Sequence, residues 1–171
     1  MELDSLTGSF LISSSAGDAL GGVFRRSVVY IAEHGENGTY GFIVNKVIPR
    51  GKQLLAGSLT VKGGVHGLFL GGPVSPRRLC VIFTVNGRVI VSASKLDIEA
   101  NFTQQNHSRC KFLVGCASWG PGDLYEEIKN HYWHVVPAAE KYIFSDYNFI
   151  SDLEKEKGLH GPFLIANCGN T

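Results

Sequence analysis

Long apolar runs are absent from this 171-residue chain, and no stretch approaches the length of a membrane span. No basic segment leading into an apolar one opens it, so neither a secretory leader nor a membrane partner is expected. Charge of one sign is also lacking. Lysine and arginine total 16 against 15 acids, a net charge of +1, which supplies no field for nucleic acid or anionic lipid. The pairs Arg25-Arg26 and Arg77-Arg78 are local exceptions, read as solvated strand or loop ends. With no clustered basic helix to enter a groove, direct sequence-specific DNA binding is not expected.

Cysteine is sparse. Cys80, Cys110, Cys116 and Cys168 form no C-x-x-C, and three of them lie in or beside apolar runs, where cysteine acts as a small hydrophobe. A reduced, cytoplasmic protein without a structural metal is expected. The double glycines Gly21-Gly22 and Gly71-Gly72 lack the spacing and the lysine of a dinucleotide or phosphate loop, so no cofactor is implied. Repeats, low-complexity segments and linkers are missing too, and the length suits one domain burying about two-thirds of its unfolded surface.

What is present is a series of short β-type segments. SFLIS (9–13) reads as a strand, 14–22 as a small flexible loop, and the β-branched run from Val28 as a strand buried on both faces. GENG (35–38) turns the chain into YGFIVNK (40–46), a hairpin with a longer loop. Residues 49–67 have no firm periodicity and read as an irregular connection. LFLGG (68–72) is a strand stopped by Gly71-Gly72-Pro73, and Asn86-Gly87 joins 79–85 to 88–93 as a tight hairpin. Ser94 and Asp97 begin a helix over 95–105. KFLVGCA (111–117) is a strand, a helix runs from Pro121 to Tyr132, WHVVP (133–137) is a strand, and a helix near 147–157 stops at Gly158. The tail from 158 fits either an edge strand or a disordered end. Hairpins first and helices later give an α+β class with a largely antiparallel sheet.

Two chemistries compete at CASWGPGDLY. Ser118 stands where a hydrolase serine would sit on a strand-to-helix turn, with Asp146, Asp152 and His160 following in a workable order. The structural alternative takes Gly120 as N-cap, Pro121 as the first helical residue, Asp123 reaching back to the cap, and Trp119 with Leu124 as a hydrophobic staple. The hairpin-rich pattern does not suit the doubly wound hydrolase sheet, so the structural reading is preferred and no catalytic residue is assigned. His131 and His134 straddle a helix end, where a cationic imidazole suits the dipole; metal ligation is the alternative. Glu33, His34, Asn45 and Lys46 lie at strand ends that hairpin pairing is expected to bring together, as a pocket rim or as a solvated hairpin end.

RRSVVYIAEHGENGTYGFIVNK, LFLGGPVSP and FLVGCASWGPGDLYEEI followed by WHVVPA together resemble the YqgE/AlgH family of bacterial proteins, from about Gly8 to Phe144. The tail 145–171 diverges. The resemblance implies a compact α+β domain whose sheet folds into a pseudo-barrel with helices outside, and no established catalysis. Some members carry the label of transcriptional regulator, though the family has no recognisable DNA-binding motif. The family's polar and glycine pattern falls on Arg26, Ser27, Glu33, His34, Gly41, Asn45, Lys46, Gly71, Gly72, Pro73, Trp119, Gly120, Pro121, Gly122, Leu124 and Glu127. Arg26, Glu33, His34, Asn45 and Lys46 are the binding candidates. Val47 replaces a usual proline, Phe83 a common histidine, and Cys116 and Ser118 a common aromatic and glycine. The expected function is a cytoplasmic regulatory or binding protein with an unknown protein or small-molecule partner. A small-molecule-binding protein or enzyme using the hairpin pocket is the alternative.

Overall fold

The computed structural model describes residues 5–19, 21–49, 67–103 and 109–159. Eight strands form one sheet: β1 (Ser9–Ser13), β2 (Val28–Gly35), β3 (Gly38–Ile43), β4 (Leu68–Leu70), β5 (Val74–Val85), β6 (Arg88–Ser92), β7 (Cys110–Trp119) and β8 (Trp133–Pro137). Five α-helices accompany them among the described residues: α1 (Ser15–Asp18), α2 (Lys95–Thr103), α3 (Asp123–Lys129), α4 (Glu140–Ile143) and α5 (Ile150–Glu156). The α+β class and the antiparallel sheet are as the sequence pattern predicts. Strand order is β6-β5-β7-β3-β2-β1-β8, and among the described residues the one parallel pairing is that of β4 with β7. Edges β6 and β8 do not pair with each other among the described residues, so the sheet is open.

β7 joins the two halves of the sheet. Its first part pairs with β5 and β4, and its last part, Ala117 to Trp119, pairs with Gly41 to Thr39 of β3. Alternation sorts the side chains. Phe10, Ile12, Val28, Tyr30 and Phe42 from one half pack with Cys80, Ile82 and Leu113 from the other, closed by Tyr142, Ile143, Phe149, Ile150 and Leu153 of α4, α5 and their junction. Leu11, Val29, Ile31 and Ile43 point the opposite way and meet Trp119, Leu124 and Trp133. Val81 and Phe112 face Ile98 of α2. The sheet therefore bends around one principal core, with α2 and α3 covering its outer faces.

The backbone before β5 and that of β7 approach closely where glycine permits it. A Cβ on Gly72, whose φ is +152°, would stand 2.1 Å from the Cys116 carbonyl oxygen. A Cβ on Gly115, in mid-strand at φ +76°, would stand 2.3 Å from the Gly72 oxygen. Glycine inside a strand often marks such a backbone contact.

Several expectations need correction. The hairpin between β2 and β3 has a two-residue loop, Glu36-Asn37, because Gly35 pairs with Gly38. The stretch 14–22 is not only loop: Ser14 accepts from the Gly17 amide at 3.0 Å and starts the single turn α1. α4 escaped the sequence reading because four residues are too few for a periodic pattern. The helix expected from Pro121 begins at Asp123. Pro121 and Gly122 instead form the corner of a turn, with Gly122 at φ +81° and ψ −14° and the Asp123 amide donating to Gly120 O at 3.2 Å. Proline then glycine with positive φ at the central positions is a type II turn, and that φ excludes Gly122 from a helix. The reach-back expected of Asp123 is present, since its Oδ2 accepts from the Gly120 amide at 3.1 Å. The expected irregular connection 49–67 lies mostly outside the described residues, as do His160 and the tail after it. Asn86 (φ +50°) and Gly87 (φ +77°) make the predicted tight hairpin, and Ser94 caps α2 by accepting from the Asp97 amide at 3.1 Å.

Candidate functional site

Antiparallel pairing decides where the binding candidates go. Val29 pairs with Ile43 and His34 with Thr39, so the end of β2 lies at the loop and the end of β3 at the far side. Glu33 and His34 are thus separated from Arg26, Asn45 and Lys46 by the length of the hairpin. The expectation that Glu33, His34, Asn45 and Lys46 share one rim is incorrect, because the exit of a second antiparallel strand neighbours the entry of the first.

At the Arg26 end the polar atoms are occupied by the fold. Buried Asn45 accepts from the Val28 amide at 2.8 Å and donates to Arg26 O at 3.0 Å and Asn148 Oδ1 at 2.8 Å. Lys46 Nζ donates to Arg25 O at 2.6 Å and to Val23 O, and partial burial pulls its pKa down. Arg26, at φ +53°, pairs with Glu154 at 2.7 Å while its own amide donates to Asp18. A broad apolar cavity of about 680 Å³ opens beside Asn45, Lys46 and Leu70. The surrounding polar groups nevertheless already hold three chain segments together.

The loop end differs. A cavity of about 360 Å³ lies between the two hairpins, with Tyr30, Ala32 and Glu33 of β2 and Tyr40 of β3 on one wall. Arg78 and Cys80 of β5, with Val89, Val91 and Ala93 on and just after β6, form the other. Glu33 owes its position to a β-bulge. Ile31 pairs with Gly41 but Glu33 with Tyr40, so Ala32 is an extra residue. In a regular strand Glu33 would share the face of Ile31; the inserted residue turns it to the face of Tyr40, its cross-strand partner. On the opposite wall the β5 register slips between Val74 and Leu79, where Ser75 has φ +46°, and Arg78 lies within this second irregularity. His34 belongs to the other face, its Nδ1 sharing a hydrogen bond with Thr39 Oγ1 at 2.7 Å.

Electrostatics inside this cavity favour neutral groups. Burial pushes the Tyr40 phenol up to about 12, with smaller contributions from the two nearby thiols, against a lowering by Arg78. Burial also raises Cys80, Cys116 and Tyr30, while the Arg78 charge pulls both thiols the other way. Glu33 and Arg78 are exposed, and neither has a hydrogen-bond or ion-pair partner among the described residues. No group of three potential metal ligands occurs among the described residues.

The sequence reading missed Tyr30, Tyr40, Arg78 and Cys80 because they meet only across the bent sheet. It also missed Lys111, read simply as part of an apolar strand. Lys111 is 3% exposed, donates to Val44 O at 2.6 Å and lies 4.0 Å from the Phe69 ring centroid. Burial pushes its pKa down to about 7, against the raising influence of Asp146. Its signal was the period of two, which places Lys111 on the inward face of Leu113.

The motif 119–124 is structural in its contacts. Trp119 and Leu124 pack in one cluster, and the Trp119 and Trp133 indoles both donate to Glu127. Ser118 is exposed, with its neighbours Ala117 and Trp119 buried, and no acid or histidine hydrogen-bonds to it among the described residues. The AlgH-like family model matches residues 10–154. The chain belongs to that family. The match runs ten residues beyond the resemblance seen in the sequence, through most of α5. A UPF0301 protein of Laribacter hongkongensis is 30% identical over 163 residues, covering 84% of each chain. The UPF0301 protein YqgE of Salmonella paratyphi A is 29% identical over 149 residues, covering 71% of this chain and 75% of that one. The solution structure of the AlgH protein from Pseudomonas aeruginosa has a TM-score of 0.73 at 22% identity, covering 100% of this chain and 98% of that one. Protein DIP2367 of Corynebacterium diphtheriae has a TM-score of 0.67 at 20% identity, covering 91% and 94%. These two likenesses establish the AlgH-like fold. No helix among the described residues is long and apolar enough to cross a membrane.

Proposed function

We propose that this AlgH-like chain is a cytoplasmic small-molecule-binding protein without catalytic chemistry, its ligand occupying the cavity between the β2–β3 and β5–β6 hairpins. The observation that carries the reading is the composition of that cavity. Apolar Ala32, Val89, Val91 and Ala93 stand with two phenols, a thiol and two unpaired rim charges, so that an apolar wall and several polar groups converge on one space. Its size lies at the small end of such sites, which range over about 300–1,000 Å³.

Absence of catalysis is supported by the same groups. A nucleophilic cysteine needs a lowered pKa, whereas burial raises Cys80 and Cys116. The free thiols Cys80, Cys110 and Cys116 are in keeping with a reducing compartment. A regulatory role would be exercised through the ligand rather than by direct DNA reading, since a net charge of +1 supplies few phosphate contacts.

The test is titration with p-cresol, a small neutral aromatic, followed by amide NMR shifts. Changes centred on Tyr30, Tyr40, Cys80 and Val91, lost in a cavity-filling Val91→Phe variant that still gives a folded spectrum, are expected. Changes elsewhere, or none at millimolar p-cresol, would overturn the reading.

A further inference from the structure

Two opposite charges face one another across the mouth of this cavity without neutralising each other. Glu33 and Arg78 line the same space, yet no ion pair within 4.0 Å joins them and neither is engaged by another described residue. Each unpaired charge is also aimed by a departure from regular β-structure. The extra residue Ala32 turns Glu33 toward the face of Tyr40, and Arg78 lies within the register slip between Val74 and Leu79. Bulges recur beside binding sites because they re-aim side chains.

We infer that the ligand is a small zwitterion of the α-amino-acid type with an apolar or aromatic side chain, its ammonium set by Glu33, its carboxylate by Arg78, and its side chain inserted toward Val89 and Val91. A guanidinium suits a carboxylate because its planar donors can bond both oxygens. The fixed carboxylate of Glu33 accepts from an ammonium. A monoanion would leave Glu33 unmatched and repelling at the same mouth, and a cation would leave Arg78 so. Only a molecule carrying both charges satisfies both walls, while the apolar wall excludes a second charged end. The influence of Arg78 on Tyr40, Cys80 and Cys116 agrees with a guanidinium held over the cavity rather than away from it.

This inference rests on the cavity being the binding site, and the experiment separates the two. Calorimetry with L-valine, L-leucine and L-phenylalanine is compared with N-acetyl-L-phenylalanine, phenethylamine and p-cresol. At least one free amino acid is expected to bind tenfold or more tighter than both single-charge analogues. Glu33→Gln, at an exposed rim position, should reduce the preference over the N-acetyl compound to within about threefold. Arg78→Gln should do the same for the preference over phenethylamine. Binding of p-cresol with no amino acid preferred over its single-charge analogues would overturn the zwitterion and leave the cavity standing. Failure of p-cresol and all three amino acids would overturn both.

Discussion

Trp133 donates its indole N–H to Glu127 Oε2 at 2.7 Å, and the same oxygen accepts from the Trp119 indole at 3.0 Å. The two rings meet edge to face, 6.2 Å apart, and Phe24 packs against both. One carboxylate thus ties the end of β7 to the start of β8 through α3. Glu127→Ala leaves two largely buried donors without their acceptor and is expected to cost about 2–4 kcal/mol, with Glu127→Gln milder because an amide oxygen remains. Trp119→Ala should cost about 3–5 kcal/mol. Urea denaturation followed by circular dichroism measures all three, and a Trp119→Ala midpoint equal to the parent's would refute a structural role for the packing of Trp119 with Leu124 and Trp133.

Ser118 is exposed on β7 opposite Tyr40. Removing its hydroxyl should change stability by less than about 0.5 kcal/mol, as for ordinary surface substitutions. A fluorophosphonate probe should leave it unlabelled. Labelling that disappears in Ser118→Ala would restore the hydrolase reading.

Lys111 makes stability depend on pH with a definite sign. Its folded pKa, pushed down to about 7, lies below the ordinary lysine value of 10.5, so between these limits the unfolded chain binds more protons. The destabilisation from burying the charge is full below pH 7 and is relieved as pH rises toward 10.5. The stability of the parent should therefore rise relative to Lys111→Met across that window, by at most about 1.4 kcal/mol per pH unit. Below pH 7 the methionine variant should be the more stable, since it buries no charge among Phe69, Phe149 and Val44. Chemical denaturation of both proteins from pH 6 to 10 gives the difference; a flat difference would mean that the amine titrates normally.

Gly72→Ala forces a Cβ to 2.1 Å from the Cys116 oxygen at a φ that L residues rarely adopt. Backbone must move, and a loss of more than about 3 kcal/mol is expected. Gly87→Ala, in open space at the β5–β6 loop, has only its positive φ to contend with and should cost about 1 kcal/mol. Thermal melts of the two variants that coincide would show that the crossing at Gly72 tolerates a side chain.

Much of the chain is legible because the relevant physics is local. Val28 to Ile31 can bury only as a strand, Asn86-Gly87 can turn only tightly, and Ser94 with Asp97 caps a helix by contacts within four residues. The GPG corner was half legible: a reversal was certain, but type II turn and helix start use the same Pro-Gly vocabulary, and the sign of φ at Gly122 chose between them.

The sequence by itself thus determined the strands, the hairpins and the α+β class, and its motifs were enough to place the chain beside the AlgH-like proteins. Tertiary structure alone decided the site. Antiparallel pairing sent Glu33 and Asn45 to opposite ends of one hairpin, and an extra residue at Ala32 turned Glu33 toward Tyr40. The bend of the sheet then brought Arg78 and Val91, more than forty residues away, to the facing wall. Alternation along a strand is a local rule, but which strand faces which across a cavity depends on the packing of the whole core, and no short window of residues contains it.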